Sequence, residues 1–427
     1  MRTGTADYMD HVLESLTSVG VPPHYVQVVV DNDMWGKKHK PLTTKHGFDL
    51  IDYRTVSDFA DAGELRIYMV ANNEFHRYVH KSLSRLSKSP EARCISVIHD
   101  PSCGMIVKNM CESWSYGFSP DQFCENLSLQ YGTRARRTLD DLYAYKLMEL
   151  FDYNTHAQKW TLAKSDEVWT HSRFGALKLL LESDFAGQRI PEFRVGTHPH
   201  YGTGSIAMVA QDALSPEDER KPGVLRIGIF GWVAPSKRVL EVIQGLNLAL
   251  ARLPPDERES IELIVVGKLP DPNWYDPAGL ARNFQIEDRV KFYGFTEADK
   301  FRALVESCDC VFNLRYPSCG ESSGAAAHAR GGGVALVASR YQAFSEEPAD
   351  CHITAIPGFE ELTIAGTIMR YYEQMKSGGL AGSSESHTEE LAGMDRILAT
   401  EIWEHLLSDQ SAKQTIQQQS FEQPESR

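Results

Sequence analysis

The chain has 427 residues, 42% of them apolar, which suits two or three domains with cores of their own. Its net charge of −14 argues against a nucleic-acid partner and against a basic face held on anionic lipid. No apolar run reaches the length of a membrane span, and the amino terminus lacks a signal-peptide pattern. The eight cysteines show no paired C-x-x-C spacing, so reduced thiols in a cytoplasmic protein are expected rather than a zinc site or a disulfide framework.

In chain order, a helix is expected over residues 6–19, followed by strands at 24–31, 48–53, 65–71 and 94–100. A long helix near 138–162, a strand at 167–172 and a short one at 193–198 complete a first domain of residues 1–200. The polar stretch 201–223, with its run SPEDERKPG, reads as a linker. Residues 224–375 form a second domain in which apolar strands end in glycine: LRIGIFG at 225–231, ELIVVG at 262–267 and RVKFYG at 289–294. Strands at 310–315 and 334–339 follow, and helices are expected at 238–253 and 297–307. Beyond them, 376–389 is rich in Ser and Gly and reads as a mobile loop, 390–408 as a helix, and the Gln/Ser-rich 409–427 as a disordered tail. Strands alternating with amphipathic helices predict two doubly wound α/β domains with parallel sheets, in which ligands bind at the carboxyl ends of the strands.

The densest stretch of signal is NLRYPSCGESSGAAAHARGGGVALVAS, residues 313–339. Glu321, Ser322, Ser323 and Gly324 stand where a helix should begin. Serine caps such a helix, and the free amides of its first turn face an anion with the helix dipole behind them. Gly324 and the alanines leave room for a ligand to approach the backbone. Upstream, Gly231, Lys237, Gly267, Lys268 and Gly294 all fall at or just beyond strand ends, and Lys237 is suited to pairing with a diphosphate.

These motifs in this order, G-x-x-x-P-x-K at 231–237, V-V-G-K at 265–268, V-K-F-Y-G-F at 290–295 and then E-S-S-G, resemble the family 4 retaining glycosyltransferases. That family has the GT-B fold, two Rossmann-like domains facing each other across a cleft. The L-R-Y-P-x-x-G-E-S-S-G stretch is similar to the variant in sugar transferases of bacterial surface and secondary-metabolite pathways. The resemblance implies transfer of a sugar from a nucleotide diphosphate sugar, a substrate rather than a cofactor, to a carbohydrate or other hydroxyl acceptor. It implies catalytic roles for Glu321, His99 and Lys237. Donor contacts are implied at Gly4, Thr5, Gly231, Lys237, Lys268, Phe295, Ser322, Ser323 and Gly324, and acceptor or sugar contacts at Asn72, Asn73, His76 and Asp100. No metal is expected. Asp31, Asn32 and Asp33 look like a D-x-D metal motif but read better as a turn, and the His76/His80 pair lacks the Glu of H-E-x-x-H, Arg77 standing in its place.

Three departures stand out. The family's second Glu, eight positions after the first, is Ala329 here, and the Arg often found after Gly231 is Trp232. Thr3 to Tyr8 resembles the family's diphosphate loop and first helix, yet only two residues precede it, so a short apolar strand ahead of Met1 is expected in the natural protein. Two other readings stay open: a nucleotide-sugar 2-epimerase of the same fold, and a catalytically inactive nucleotide-sugar-binding subunit.

Overall fold

The computed structural model describes residues 4–35, 43–112, 127, 137, 140–141, 144–145, 152–185, 189–199, 214–354, 357–379 and 393–408. The chain divides into two units: residues 1–199, 319–322 and 391–427 form the first, and residues 200–318 and 323–390 the second.

The first unit holds strands β1 (Gln27–Val30), β2 (Asp49–Asp52), β3 (Phe59–Ala60), β4 (Leu65–Val70), β5 (Ser87–Lys88), β6 (Arg93–Ile98), β7 (Glu167–Thr170) and β8 (Glu192–Val195). β4, β6, β7 and β8 form a parallel sheet in that order, while β1 pairs with β2 and β3 with β5, also in parallel. Among the described residues β1 and β2 share no ladder with the four-stranded sheet. The helix Gly4–Ser18 places Tyr8, Val12, Leu13 and Leu16 on one face. That face buries against Met69, Ile95, Val97 and Trp169 of the sheet. The strand expected ahead of Met1 lies outside the described residues.

Gly4 and Thr5, expected in a diphosphate loop, are the first two residues of that helix. Glycine is tolerated at a helix start, and the apolar face that begins at Tyr8 anchors the turn it belongs to. The helix expected at 390–408 is found at Met394–Ser408 and belongs to the first unit. Met394, Leu398, Ala399 and Ile402 enter the same core as Tyr8. Glu401 binds Arg93 at 2.7 Å and Arg194 at 3.0 Å, tying the helix to β6 and β8.

The long helix expected through residue 162 is interrupted. Residues 155–158 leave the helical path, and the carbonyls of Thr155 and His156 accept the amides of Gly104 and Cys103 at 2.9 and 2.8 Å. These bonds satisfy the start of the helix Gly104–Glu112, and Lys159–Lys164 resumes as a separate helix. Most of 138–151 lies outside the described residues, as do most of the expected linker and mobile loop and all of the tail.

The second unit adds β9 (Leu225–Phe230), β10 (Ile261–Val266), β11 (Val290–Gly294), β12 (Cys310–Asn313), β13 (Ala335–Ser339) and β14 (Cys351–Ile353). Their order is β11-β10-β9-β12-β13-β14, every pair parallel. β9, β10, β12 and β13 are buried along their whole length, as expected of strands covered on both faces. On one face the helix Val239–Arg252 packs against the helix Glu360–Lys376. Gly245 permits that approach, since a Cβ there would lie 2.4 Å from Cγ2 of Ile364. The strand order reverses between β9 and β12, the switch point at which doubly wound sheets open a crevice beyond their carboxyl ends.

Candidate functional site

In the second unit the loops that leave β9 and β10 meet backbone to backbone. Gly231 has φ +89° and Gly267 φ +153°, and a Cβ on Gly267 would fall 2.0 Å from the Gly231 carbonyl oxygen. Only glycine fits there. The Gly231 amide donates to the Val266 carbonyl at 2.9 Å, and the Val233 amide to the Lys268 carbonyl at 3.2 Å.

Lys237 ends a 3₁₀ turn, Pro235–Lys237, and its ammonium folds back over Gly231 to donate to the Phe230 carbonyl. The neighbouring Arg238 is bound to Glu241 and Glu360. Lys237 thus places its ammonium at the end of β9, over Gly231.

On the other side of the switch point, β12 leads to the helix Gly324–Gly331. Buried Ser323 caps it: its hydroxyl accepts the Ala326 amide at 3.3 Å and donates to Oδ1 of Asn313 at 3.0 Å. The space where a Gly324 side chain would sit is open. Phe295 follows Gly294 (φ +66°) and is 58% exposed. Ala329 is buried against the sheet, so the position eight after Glu321 faces the core and could not present a carboxylate to a ligand.

In the first unit, residues 319–322 dock on the loop that leaves β6. The Ser322 amide donates to the His99 carbonyl at 3.3 Å, and the Ser102 amide to the Cys319 carbonyl at 3.0 Å. Gly320 (φ +82°) lies against Pro101. These contacts bracket Asp100 and bring Glu321 into its electrostatic range. Burial pushes the Asp100 carboxyl up to about 7, the Glu321 charge adds to this, and the Asn72 amide, donating to Asp100 at 2.6 Å, opposes it. Lys178 binds the Ser102 hydroxyl at 3.0 Å. Burial lowers its pKa, against the pull of Cys319, Glu182 and Glu321.

His99 is buried, its Nε2 has no hydrogen-bond partner among the described residues, and burial holds its pKa well below the usual histidine value. Its ring meets Tyr8 edge-on at 4.5 Å and lies 5.0 Å from His171, which in turn lies 5.4 Å from His198. The pKa of His171 is lowered to about 4, again by burial. A tyrosine and three imidazoles, those of His99 and His171 held uncharged by burial, thus line the carboxyl ends of β6, β7 and β8. Sequence reasoning singled out only His99 of this group. His171 and His198 carried a related signal, since each follows a strand by one to three residues. Tyr8 and Lys178 sit mid-helix and gave none.

The remaining predicted residues hold the loop after β4. The Asn72 side chain accepts the Ile106 amide at 3.0 Å and donates to Sγ of Cys319 at 3.5 Å. Asn73 caps the turn Glu74–His76, accepting the Phe75 amide at 3.1 Å and contacting Nδ1 of His76 at 2.8 Å. Burial lowers the pKa of His76 to about 3, and His80 bonds the Ala71 carbonyl at 3.2 Å. Asp31 caps its own turn through the Asp33 amide at 3.0 Å, and Asp33 pairs with Arg54. Among the described residues no group of three or more His, Cys, Asp or Glu side chains is placed to hold a metal ion.

So the structure gathers His99, Asp100, Asn72, Glu321 and Ser322 in the first unit, with Asn73 and His76 on the adjoining turn. Gly231, Lys237, Lys268, Phe295, Ser323 and Gly324 lie in the second. No helix among the described residues is long and apolar enough to cross a membrane.

No protein-family model and no curated protein matches the sequence. Solved structures do match. WaaG, a glycosyltransferase involved in lipopolysaccharide biosynthesis, superposes with a TM-score of 0.54 at 13% identity, covering 93% of this chain and 95% of that one. Anabaena HepE in complex with UDP and glucose matches with a TM-score of 0.53 at 15% identity, covering 96% of both chains. Sucrose-phosphate synthase from Thermosynechococcus elongatus matches with a TM-score of 0.50 at 16% identity, covering 97% and 94%. With the parallel sheets of both units and the strand reversal at β9 and β12, these likenesses give the chain the α/β fold of the GT-B glycosyltransferases, built from two Rossmann-like units.

Proposed function

We propose that this protein is a retaining glycosyltransferase that moves a sugar from a nucleotide diphosphate sugar to a hydroxyl acceptor, in the synthesis of a bacterial polysaccharide or glycoside. The observation that carries this reading is the switch point of the second unit. There Lys237 lies over Gly231 on one side, and the Ser323-capped helix start lies on the other. A cation and the first amides of that helix, at Gly324 and Ala325, suit a diphosphate at that place.

As the bond from the anomeric carbon to the phosphate oxygen breaks, negative charge grows on the β-phosphate. Lys237 and the amides around Gly324 would stabilise it. Glu321 would accept hydrogen bonds from sugar hydroxyls and hold the anomeric carbon in line. Neutral His99 has a free ring nitrogen for a further hydroxyl, and Asp100, its pKa raised by burial, can donate when protonated as well as accept when ionised. The acceptor oxygen bonds to the anomeric carbon on the face the phosphate leaves. Its proton passes to the departing β-phosphate oxygen, and a nucleoside diphosphate is released.

The test is incubation of the protein with a panel of nucleotide diphosphate sugars and simple glycoside acceptors. The measurements are nucleoside diphosphate release and the anomeric configuration of the product by NMR. Acceptor-dependent release with retained configuration is expected. Conversion of the donor sugar without acceptor would mark an epimerase, and binding of no nucleotide would overturn the assignment.

A further inference from the structure

Trp232 is 56% exposed just beyond the end of β9. Its ring is not bare: Nζ of Lys268 lies 5.2 Å from its centroid. Lys268 is exposed, and its ammonium makes no ion pair among the described residues of a chain with a net charge of −14. The two residues stand on loops already joined through the Val233 amide and the Lys268 carbonyl, and by the close approach of Gly267 to Gly231. Lys237 lies over the same Gly231. Two lysines thus stand on the joined loops beyond β9 and β10.

From this geometry we infer that Trp232 is a positioning residue, holding the Lys268 ammonium beside Lys237 as the second cation for the donor diphosphate. The inference rests on the donor reading given above. A free lysine samples many rotamers and would lose that freedom when it binds an anion. The face of an indole attracts the ammonium and narrows the choice beforehand, with an effect of a few-fold at an exposed site. Lys268 can leave the ring for the phosphate without breaking an ion pair.

The experiment is calorimetric titration of the full chain with UDP, GDP and ADP and with the matching nucleosides, at fixed ionic strength. Lys268→Ala should weaken whichever diphosphate the wild type binds by about tenfold, as loss of a charged hydrogen bond does, and leave the nucleoside unchanged. Trp232→Ala should weaken the diphosphate about threefold and Trp232→Phe less, again sparing the nucleoside. In a Lys268→Ala background, Trp232→Ala should add nothing. Trp232→Arg in that background should restore diphosphate affinity by placing a guanidinium at the same strand end. Equal losses for diphosphate and nucleoside would assign Trp232 to the base and overturn the inference, as would additive losses in the double variant. If the wild type bound no nucleoside diphosphate, the donor reading would fall and this inference with it. Diphosphate binding indifferent to Lys268 would overturn the inference alone. Both side chains are exposed, so unchanged melting temperatures are expected to confirm that the variants fold.

Discussion

The two units end their parallel sheets in opposite chemistry. At the carboxyl ends of β9 and β10 the second unit presents lysines, closely packed glycines and backbone amides. At the ends of β6, β7 and β8 the first unit presents histidines held neutral and an aspartate held partly protonated, packed so that little charge survives. Strand ends of one fold can therefore be tuned by burial alone. Exposed groups keep their charge and suit an anion, while enclosed groups lose it and suit hydroxyls.

The largest test of this division is Glu321→Ala. It should lower turnover by roughly 10²-fold or more if Glu321 holds the sugar in the transition state, while nucleoside diphosphate affinity stays within about twofold. Steady-state kinetics beside calorimetry would show the split, and equal loss in both would break the comparison. Lys237→Ala should act from the other unit, weakening nucleoside diphosphate binding by about tenfold or more and sparing the bare nucleoside. A variant that binds the diphosphate as tightly as wild type would remove Lys237 from the site.

A third test uses pH. The folded pKa of Asp100 is raised from 3.8 to about 7, so its contribution to stability is greatest below about pH 4 and is lost as pH rises towards 7. Asp100→Asn should flatten that slope and raise stability at pH 8 by on the order of 1–2 kcal/mol. The neighbouring histidines act in the opposite sense. His76 and His80, lowered to about 3 and 4, contribute above about pH 6.5, and that contribution is lost as pH falls through the folded values. Denaturant melts from pH 4 to 8 would separate the two, and an unchanged slope in Asp100→Asn would show that its carboxyl titrates normally.

The smallest effect belongs to the cap. Ser323→Ala should cost about 1 kcal/mol of stability and Ser323→Gly a few tenths, read from urea midpoints. A larger loss for the glycine variant would place the role of Ser323 in its bond to Asn313 rather than in the helix end.

Much was legible from local pattern. β9, β10, β12 and β13 lie within a residue or two of their apolar runs, because a strand covered on both faces must be apolar throughout. The serine cap was readable too, since capping depends on neighbours two or three residues away. The packing of Met394–Ser408 onto Tyr8 and Val12 was not legible, as amphipathic helices carry no address for the core they enter. Nor was the break at 155–158, imposed by a helix some fifty residues upstream that needs its amides satisfied.

The sequence by itself determined the alternation of strands and helices, the glycines at strand ends and the identity of most candidate residues, because periodicity, turn chemistry and capping act over a few bonds. Only the tertiary structure decided which residues share an environment. It placed Glu321 with Asp100, gathered Tyr8, His171 and His198 around His99, turned Ala329 into the core and laid Lys268 over Trp232. Charge and burial depend on neighbours brought together across hundreds of residues, and a pKa of about 7 for Asp100 exists only where those neighbours enclose it.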